Sequence, residues 1–341
     1  MDRRDAVKSA VIVVLLVAIA AAAFGVIHYL DTKGSKSNTE DRDTGAPEPI
    51  TLYLGDLQYE VTDNIKTYLI SGTDGAGSKP NAKHYQGPSA DYLLLLVIDK
   101  TKETHGYIEI DRDTICDIAR IPEGGDEDLA DIVDEQILTA TWYGKDLHQG
   151  LSNLNDSTYN LLGGLPIDGY YSVNMDHIDK INHAVGGVTV TIEDDFSEYD
   201  EEMVPGATVH LNDKQAELFV RGRMEVGDGT NESRMRRQRT YMEALMKQCR
   251  EKMSTDKTFA NELWDEMSGF ATTNIPGNRV SSIANLIYKT KDLGIYNIEG
   301  EHTKGRLQYD EQDYAMFYAD EESIVKIFND LIGLGEGKEY D

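Results

Sequence analysis

Six arginines fall within residues 221–239, as Arg221-Gly222-Arg223 and Arg234-Met235-Arg236-Arg237-Gln238-Arg239, in a chain of formal net charge −28. A guanidinium presents a planar fork of N–H donors that matches a carboxylate or a phosphate. Concentrating such groups on an acidic background points to an anion that has to be gripped, with a phosphate-bearing ligand as the first candidate. Arg221 and Arg223 end one expected helix, and Arg234 and Arg237 begin the next, across the Gly-rich residues 225–230. A helix start carries partial positive charge, so cations placed there require a negative group nearby. The competing reading is a basic helix face paired with the abundant Asp and Glu.

Carboxylates mark two strand ends. Asp74 follows an apolar run in Ser71-Gly72-Thr73-Asp74-Gly75, and Asp91 directly precedes the run Tyr92-Leu93-Leu94-Leu95-Leu96-Val97-Ile98. If the two strands are antiparallel neighbours, both carboxylates lie at one end of the sheet and can share Mg²⁺, a hard cation that prefers oxygen and keeps part of its shell for water and phosphate. Asp beside Gly or Ser also forms ordinary turns. Arg112, in Asp111-Arg112-Asp113-Thr114, follows the next expected strand and joins the site only if it points toward Asp74 and Asp91. Otherwise it is a solvated surface pair. No Ser-His-Asp arrangement, P-loop or zinc spacing occurs, and His84, His148 and His177 stand in isolation.

The elements that must position these groups show in the hydrophobic pattern. Residues 67–71 and 92–98 read as strands, the second apolar throughout, as a strand buried on both faces would be. Residues 107–110 alternate and pair beside it through the polar turn 99–104, a hairpin. Helices are expected at 129–142, 147–162, 176–184, 233–249, 259–270, 281–288 and 322–332, with a strand at 187–192 and Asn212 as N-cap of a helix through Val220. On the 233–249 helix, Met235, Met242, Leu245, Met246 and Cys249 form the apolar stripe, while Arg234, Arg237, Gln238 and Tyr241 share another face. Strands and helices without regular βαβ alternation imply an α/β fold, a three-layer α-β-α sandwich with a mixed central sheet.

The 341 residues allow one large or two modest domains, and 40% hydrophobic composition implies a globular chain. Its negative charge opposes nucleic-acid binding, since a polyanion is repelled. Residues 10–30 carry no formal charge and are long enough to span a bilayer. Arg3, Arg4 and Lys8 precede them, which places residues 1–9 in the cytoplasm and the rest outside, although Lys33 and Lys36 follow on the far side. A cleaved signal peptide is the alternative, but the apolar run continues through Val26 and Ile27, longer than a usual signal core. The expected plan is therefore a transmembrane helix at 10–30, a flexible linker at 31–49, an extracellular domain at 50–335 and a tail at 336–341. Cys116 and Cys249 are either a single bridge or two buried thiols.

In order along residues 66–334, these features resemble the LytR-CpsA-Psr family of cell-envelope phosphotransferases. Leu69-Ile70-Ser71-Gly72-Thr73-Asp74 is similar to its apolar strand ending in Gly-Val-Asp, and Ser89-Ala90-Asp91-Tyr92 with the hairpin to Asp111-Arg112-Asp113-Thr114 is similar to its Arg-Ser-Asp-Thr, Asp-Pro-Lys-Thr and Pro-Arg-Asp-Thr segments. Gly164-Leu165-Pro166-Ile167-Asp168, Ile181-Asn182-His183-Ala184-Val185-Gly186-Gly187, Leu211-Asn212-Asp213-Lys214-Gln215-Ala216 with Val220-Arg221-Gly222-Arg223, and Arg234, Arg237 and Gln238 resemble its later motifs. The chain departs from the pattern at Gly75 and Ala76 for Ser-Arg, Ser89 for Arg, Asp111 for Pro, Gln136-Ile137-Leu138 for Lys-Ile-Asn, and Asn231 for Asp. Three cations are thereby absent.

The resemblance implies a membrane-anchored transferase that moves a phosphate-linked glycopolymer from a polyprenyl-diphosphate carrier to a peptidoglycan hydroxyl. It implies that Arg112, Arg221, Arg223, Arg234, Arg237 and Gln238 hold phosphate, that Asp74 and Asp91 hold Mg²⁺ while one of them accepts the acceptor's proton, and that Arg112 belongs to the catalytic set with them. It further implies an apolar lipid-binding tunnel between sheet and helices, lined by Leu93, Leu95 and Val97. The missing cations favour a second expectation, a catalytically weak envelope protein that binds polyprenyl-phosphate lipids or glycans as scaffold or sensor. A transcriptional role is opposed by the anchor and the charge.

Overall fold

The computed structural model describes residues 49–62, 64–74, 87–222, 226–229, 231–256, 259–276, 279, 282–283, 286–287, 289–306 and 313–340. The expected transmembrane helix, and the linker up to residue 48, lie outside the described residues. Among those described, no helix is long and apolar enough to cross a membrane.

Among the described residues the first elements are a hairpin of β1 (Ile50–Leu54) and β2 (Leu57–Val61), followed by β3 (Ile65–Thr73), β4 (Ala90–Asp99) and β5 (Thr104–Ile110). A ribbon of β6 (Ile115–Arg120) and β7 (Asp131–Gln136) leads to α1 (Leu147–Leu161) and β8 (Gly169–Asn174). Next come α2 (Ile178–Ala184), β9 (Val188–Thr191), β10 (Thr208–Leu211), α3 (Asp213–Arg221), α4 (Asn231–Thr255) and α5 (Phe259–Ser268). The remainder is β11 (Ala271–Thr273), β12 (Lys291–Asn297), a hairpin of β13 (Gly300–Arg306) and β14 (Asp313–Ala319), α6 (Glu321–Leu331) and β15 (Lys338–Glu339). These elements form two units, the smaller drawing its described residues from 176–270 and 277–285 and the larger from the rest.

The larger unit is built on a six-stranded mixed sheet in the order β11-β8-β3-β4-β5-β12. β4 runs antiparallel to β3 and β5, β8 lies parallel to β3, and β12 lies parallel to β5. Because side chains alternate across a strand, Leu93, Leu95 and Val97 share one face, where they join Leu69, Ile108 and Ile110 in a core closed by Leu151 and Leu154 of α1 and Ile324, Ile327, Phe328 and Leu331 of α6. The other row, Leu94, Leu96 and Ile98, is buried as well, beside Tyr68, Ile70 and Tyr107 on the neighbouring strands. The unbroken apolar run of β4 thus has its expected cause, a strand that meets no water on either face. Asp146 caps α1 by accepting the Gln149 N–H at 3.0 Å. The helix ends at Gly163, whose φ of +65° and closeness to the Tyr53 carbonyl leave no room for a Cβ.

The smaller unit contains the antiparallel pair of β9 and β10 and the helices α2 to α5. Asn212 is the N-cap of α3 as expected. Its side chain accepts the Gln215 N–H at 3.0 Å, and the Gln215 side chain accepts the Asn212 N–H at 3.0 Å, a reciprocal capping box.

Several expectations change. Residues 129–142 are not one helix but β7 followed by a 3-10 turn, Ile137–Trp142, because Asp131–Gln136 pairs with β6 along its whole length. The expected tail is also engaged, since Lys338 and Glu339 pair with Gln58 and Leu57 as a third strand beside the first hairpin. Helix α4 is longer than expected at 25 residues. The helix anticipated at 281–288 falls partly outside the described residues, and those described there are helical.

Cys116 in β6 and Cys249 in α4 are free thiols. Burial, reinforced by the Asp117 and Asp134 charges, pushes the Cys116 thiol up to about 12, and burial, opposed by the Lys252 charge, lifts Cys249 to about 12. A raised thiol is protonated below its folded pKa, so at pH 8 only about 10⁻⁴ of either group is thiolate, the form that reacts. Iodoacetamide at pH 8 is therefore expected to leave both untouched in the native protein and to label both in guanidinium. Rapid native labelling, read by intact mass, would contradict this burial.

Candidate active site

Asp74 directly follows β3 and Asp91 is the second residue of β4. The strands are antiparallel, with Thr73 opposite Ala90 after a bulge, so both carboxylates sit at one end of the sheet as the sequence led us to expect. The Asp74 N–H donates to the Ser89 carbonyl at 3.1 Å, and Asp74 Oδ1 accepts the Ser89 N–H at 2.7 Å. That reciprocal pair fixes the entry to β4. Trp142 supports the same segment by donating from Nε1 to Ser89 Oγ at 3.0 Å.

Arg112 does point to Asp91. Its Nη1 donates to Asp91 Oδ1, and the two side chains are only 12% and 13% exposed. Shielding from water makes such a pair worth more than a surface ion pair. The turn that carries Arg112 is held from both sides: its carbonyl accepts the Leu138 N–H at 3.2 Å, and the Asp113 carbonyl accepts the Phe317 N–H of β14 at 2.9 Å. Inside the turn, Asp111 Oδ1 accepts the Asp113 N–H at 2.8 Å. Gln136, the last residue of β7, donates from Nε2 to Asp113 Oδ1 and to the Ala315 carbonyl, each at 2.8 Å. In sequence Gln136 stands out only as a departure from Lys, and nothing there marks it as securing the arginine turn. Its one signal is position, directly before the 3-10 turn whose Leu138 N–H meets the Arg112 carbonyl.

Two carboxylates at one sheet end are hard oxygen donors, and each accepts from a protein N–H donor. This donor set fits Mg²⁺, which needs only one or two carboxylates when phosphate and water complete its shell. Among the described residues no group of three His, Cys, Asp or Glu forms a protein-only metal cage.

The remaining arginines belong to the smaller unit. Arg221, the last residue of α3, is 39% exposed and pairs with Asp176 and, at 3.6 Å, with Glu217 one turn earlier. Arg234 begins α4 and is half-buried, while Arg223 lies outside the described residues. Arg237 is 2% exposed: Nε donates to the Phe219 carbonyl at 3.1 Å, Nη2 to the Gly222 carbonyl and Nη1 to Asp194 Oδ2. Gln238 donates to the Val220 carbonyl at 3.4 Å. Arg236 donates to Asp194 Oδ1 at 2.9 Å and pairs with Glu193 at 2.9 Å. The helix face expected to present cations is thus a packed one: Arg237, Gln238 and Tyr241 are buried, as are Leu245 and Cys249 of the apolar stripe. Asp194, which organises two of these arginines, was missed; among 61 acidic residues nothing in its sequence context set it apart.

Leu93, Leu95 and Val97, expected along a lipid tunnel, lie in the core with α1 and α6.

Together the sheet and its shielded carboxylate–arginine corner define a mixed α/β protein with an ion pair and a second carboxylate at one end of its central sheet. The chain belongs to the LytR-CpsA-Psr family: the LytR_cpsA_psr family model matches residues 25–333. Biofilm regulatory protein A of Streptococcus mutans is 24% identical over 245 residues, 69% of this chain, and the chain spans only 56% of that relative. The polyisoprenyl-teichoic acid–peptidoglycan teichoic acid transferase TagU of Halalkalibacterium halodurans is 24% identical over 303 residues, 81% of this chain and 86% of that protein. The crystal structure of B. subtilis TagV, 20% identical, covers 78% of this chain and 94% of its own with a TM-score of 0.53, a shared fold.

Proposed function

We propose that this protein is a Mg²⁺-dependent transferase that moves a phosphate-linked glycopolymer from a polyprenyl-diphosphate carrier to a peptidoglycan hydroxyl at the outer face of the cell membrane. The observation that supports it most is the shielded pairing of Arg112 with Asp91, beside Asp74, in a member of this family. In the reaction the acceptor oxygen bonds to the phosphorus that carries the glycopolymer. The bond from that phosphorus to the bridging oxygen breaks, and polyprenyl monophosphate leaves with the electron pair. One of the two carboxylates takes the hydroxyl proton. Arg112 stabilises charge on the transferred phosphoryl group, and the family resemblance gives Arg221, Arg223 and Arg234 a phosphate-binding role. Bound Mg²⁺, held by Asp74 and Asp91, would neutralise diphosphate charge.

Residues 10–30 anchor the chain where the lipid carrier resides. Leu93, Leu95 and Val97 pack on α1 and α6, and the opposite row, Leu94, Leu96 and Ile98, is equally buried, so among the described residues neither face of β4 presents an open slot for an isoprenoid. The Tyr107 hydroxyl on the side of the opposite row is buried without a hydrogen-bond partner among the described residues.

The second reading, a scaffold that binds without turnover, draws on Gln136: it is committed to the Arg112 turn as a neutral amide where the family pattern has a cation. One experiment separates the two. The full-length chain in detergent is given a short-chain polyprenyl-diphosphate glycan and peptidoglycan, and release of polyprenyl monophosphate is followed by mass spectrometry. Release in Mg²⁺ that stops with EDTA is the expected result. Retention of the lipid with no release in Mg²⁺ would overturn the enzyme reading in favour of the scaffold.

A further inference from the structure

We infer that Asp194 and Arg237 form a clamp that positions the end of α3 at Arg221 and Gly222, and that Arg237 acts through this segment rather than on the substrate. The inference rests on the anion-handling function proposed above, and it assigns a role to Asp194 for the first time.

The last carbonyls of a helix have no partner within it. At the end of α3 they are met by the next helix: Arg237 Nε takes the Phe219 carbonyl at 3.1 Å, Arg237 Nη2 takes the Gly222 carbonyl, and Gln238 takes the Val220 carbonyl at 3.4 Å. A cation at this negative helix end is favourable, and only a planar fork reaches two carbonyls and a carboxylate at once. The third nitrogen, Nη1, goes to Asp194 Oδ2. The Phe196 ring covers the guanidinium at 5.5 Å and stacks on Phe219 at 5.8 Å. All three nitrogens are engaged inside the protein.

Asp194 in turn touches the far side of the same loop. Its other oxygen accepts from Arg236 Nη2 at 2.9 Å. Gly227, with φ of +62°, lies so close that a Cβ there would stand 2.8 Å from the Asp194 carboxyl carbon. One carboxylate therefore braces Gly222 through Arg237 and Gly227 by direct packing, the two described flanks of the loop that follows Arg221.

The clamp and a direct phosphate contact by Arg237 predict opposite signs. If Arg237 were a ligand, Asp194 would compete with phosphate for it, and Asp194→Asn would tighten anion binding by freeing a cation. With a clamp, Asp194→Asn releases the segment and weakens binding.

The test is calorimetric titration of the full-length chain in detergent with inorganic pyrophosphate and Mg²⁺, alongside hydrogen exchange at the 219–222 and 226–229 amides. We expect Asp194→Asn and Arg237→Lys each to weaken binding at least about tenfold and to speed exchange at those amides. Asp194→Glu should recover most of both. Glu193→Gln, which touches only Arg236, should leave exchange unchanged. Tighter binding in Asp194→Asn, or wild-type binding in Arg237→Lys, would overturn the clamp; should Asp194→Asn fail to fold, Arg237→Lys decides. If the wild type binds no pyrophosphate, the proposed function fails, and exchange alone then decides the clamp: unchanged exchange in both variants refutes it.

Discussion

Arg112→Ala is expected to lower polyprenyl monophosphate release by about 10² to 10³ while leaving the fold intact, the loss seen when one preorganised donor to a developing oxyanion is removed. Arg112 sits in a turn secured by hydrogen bonds from Leu138, Phe317 and Gln136, so truncating its side chain does not loosen the backbone that carries it. Asp91 loses its shielded partner and becomes a less well oriented carboxylate. Arg112→Lys restores charge without the fork and should recover only part of the rate. Circular dichroism and thermal melting check the fold. Gln136→Ala offers a graded companion, because it leaves Arg112 in place but removes the amide that holds Asp113. A wild-type rate in Arg112→Ala would remove the corner at Asp91 from the chemistry.

Leu95→Ala is expected to destabilise the protein by about 3 to 5 kcal/mol. Leu95 lies in the middle of β4, opposite Leu69 and Ile108, in the core that α1 and α6 close. The cost combines lost transfer of the side chain from water with the cavity left among rigid neighbours. Ile132, exposed on β7, serves as the control, and its replacement by Ala should change stability by no more than about 0.5 kcal/mol. Urea titration followed by tryptophan fluorescence measures both. The result also bears on the lipid: a loss below about 1 kcal/mol would mean that this face is an accommodating slot rather than packed interior.

What the sequence revealed was mostly local. The hairpin of β4 and β5 could be read because an unbroken apolar run, a polar turn and an alternating run follow one another within 20 residues or so, and strand burial on both faces leaves that pattern. The N-cap at Asn212 could be read because the capping box needs only residues three apart. Residues 129–142 fit a helix by sequence because short apolar stretches suit either period, and the pairing that decides them comes from β6, 11 to 21 residues upstream. The positions of Asp74 and Asp91 were foreseen for a related reason. Once β3 and β4 are antiparallel neighbours, the end of one and the start of the other must coincide.

The arginines divide along the same line. By itself the sequence determined that the chain carries a concentrated cationic segment on an acidic background, a strand pair ending in carboxylates, and the ordered motifs of its family. Tertiary structure alone decided that Arg112 meets Asp91, that Arg221 stays half-exposed, and that Arg237 turns inward to Asp194 and the end of α3. The reason is physical: a guanidinium looks the same in sequence whether it faces solvent or carbonyls, and the partners of Arg237 stand 15 to 43 residues away. Only packing brings them within reach.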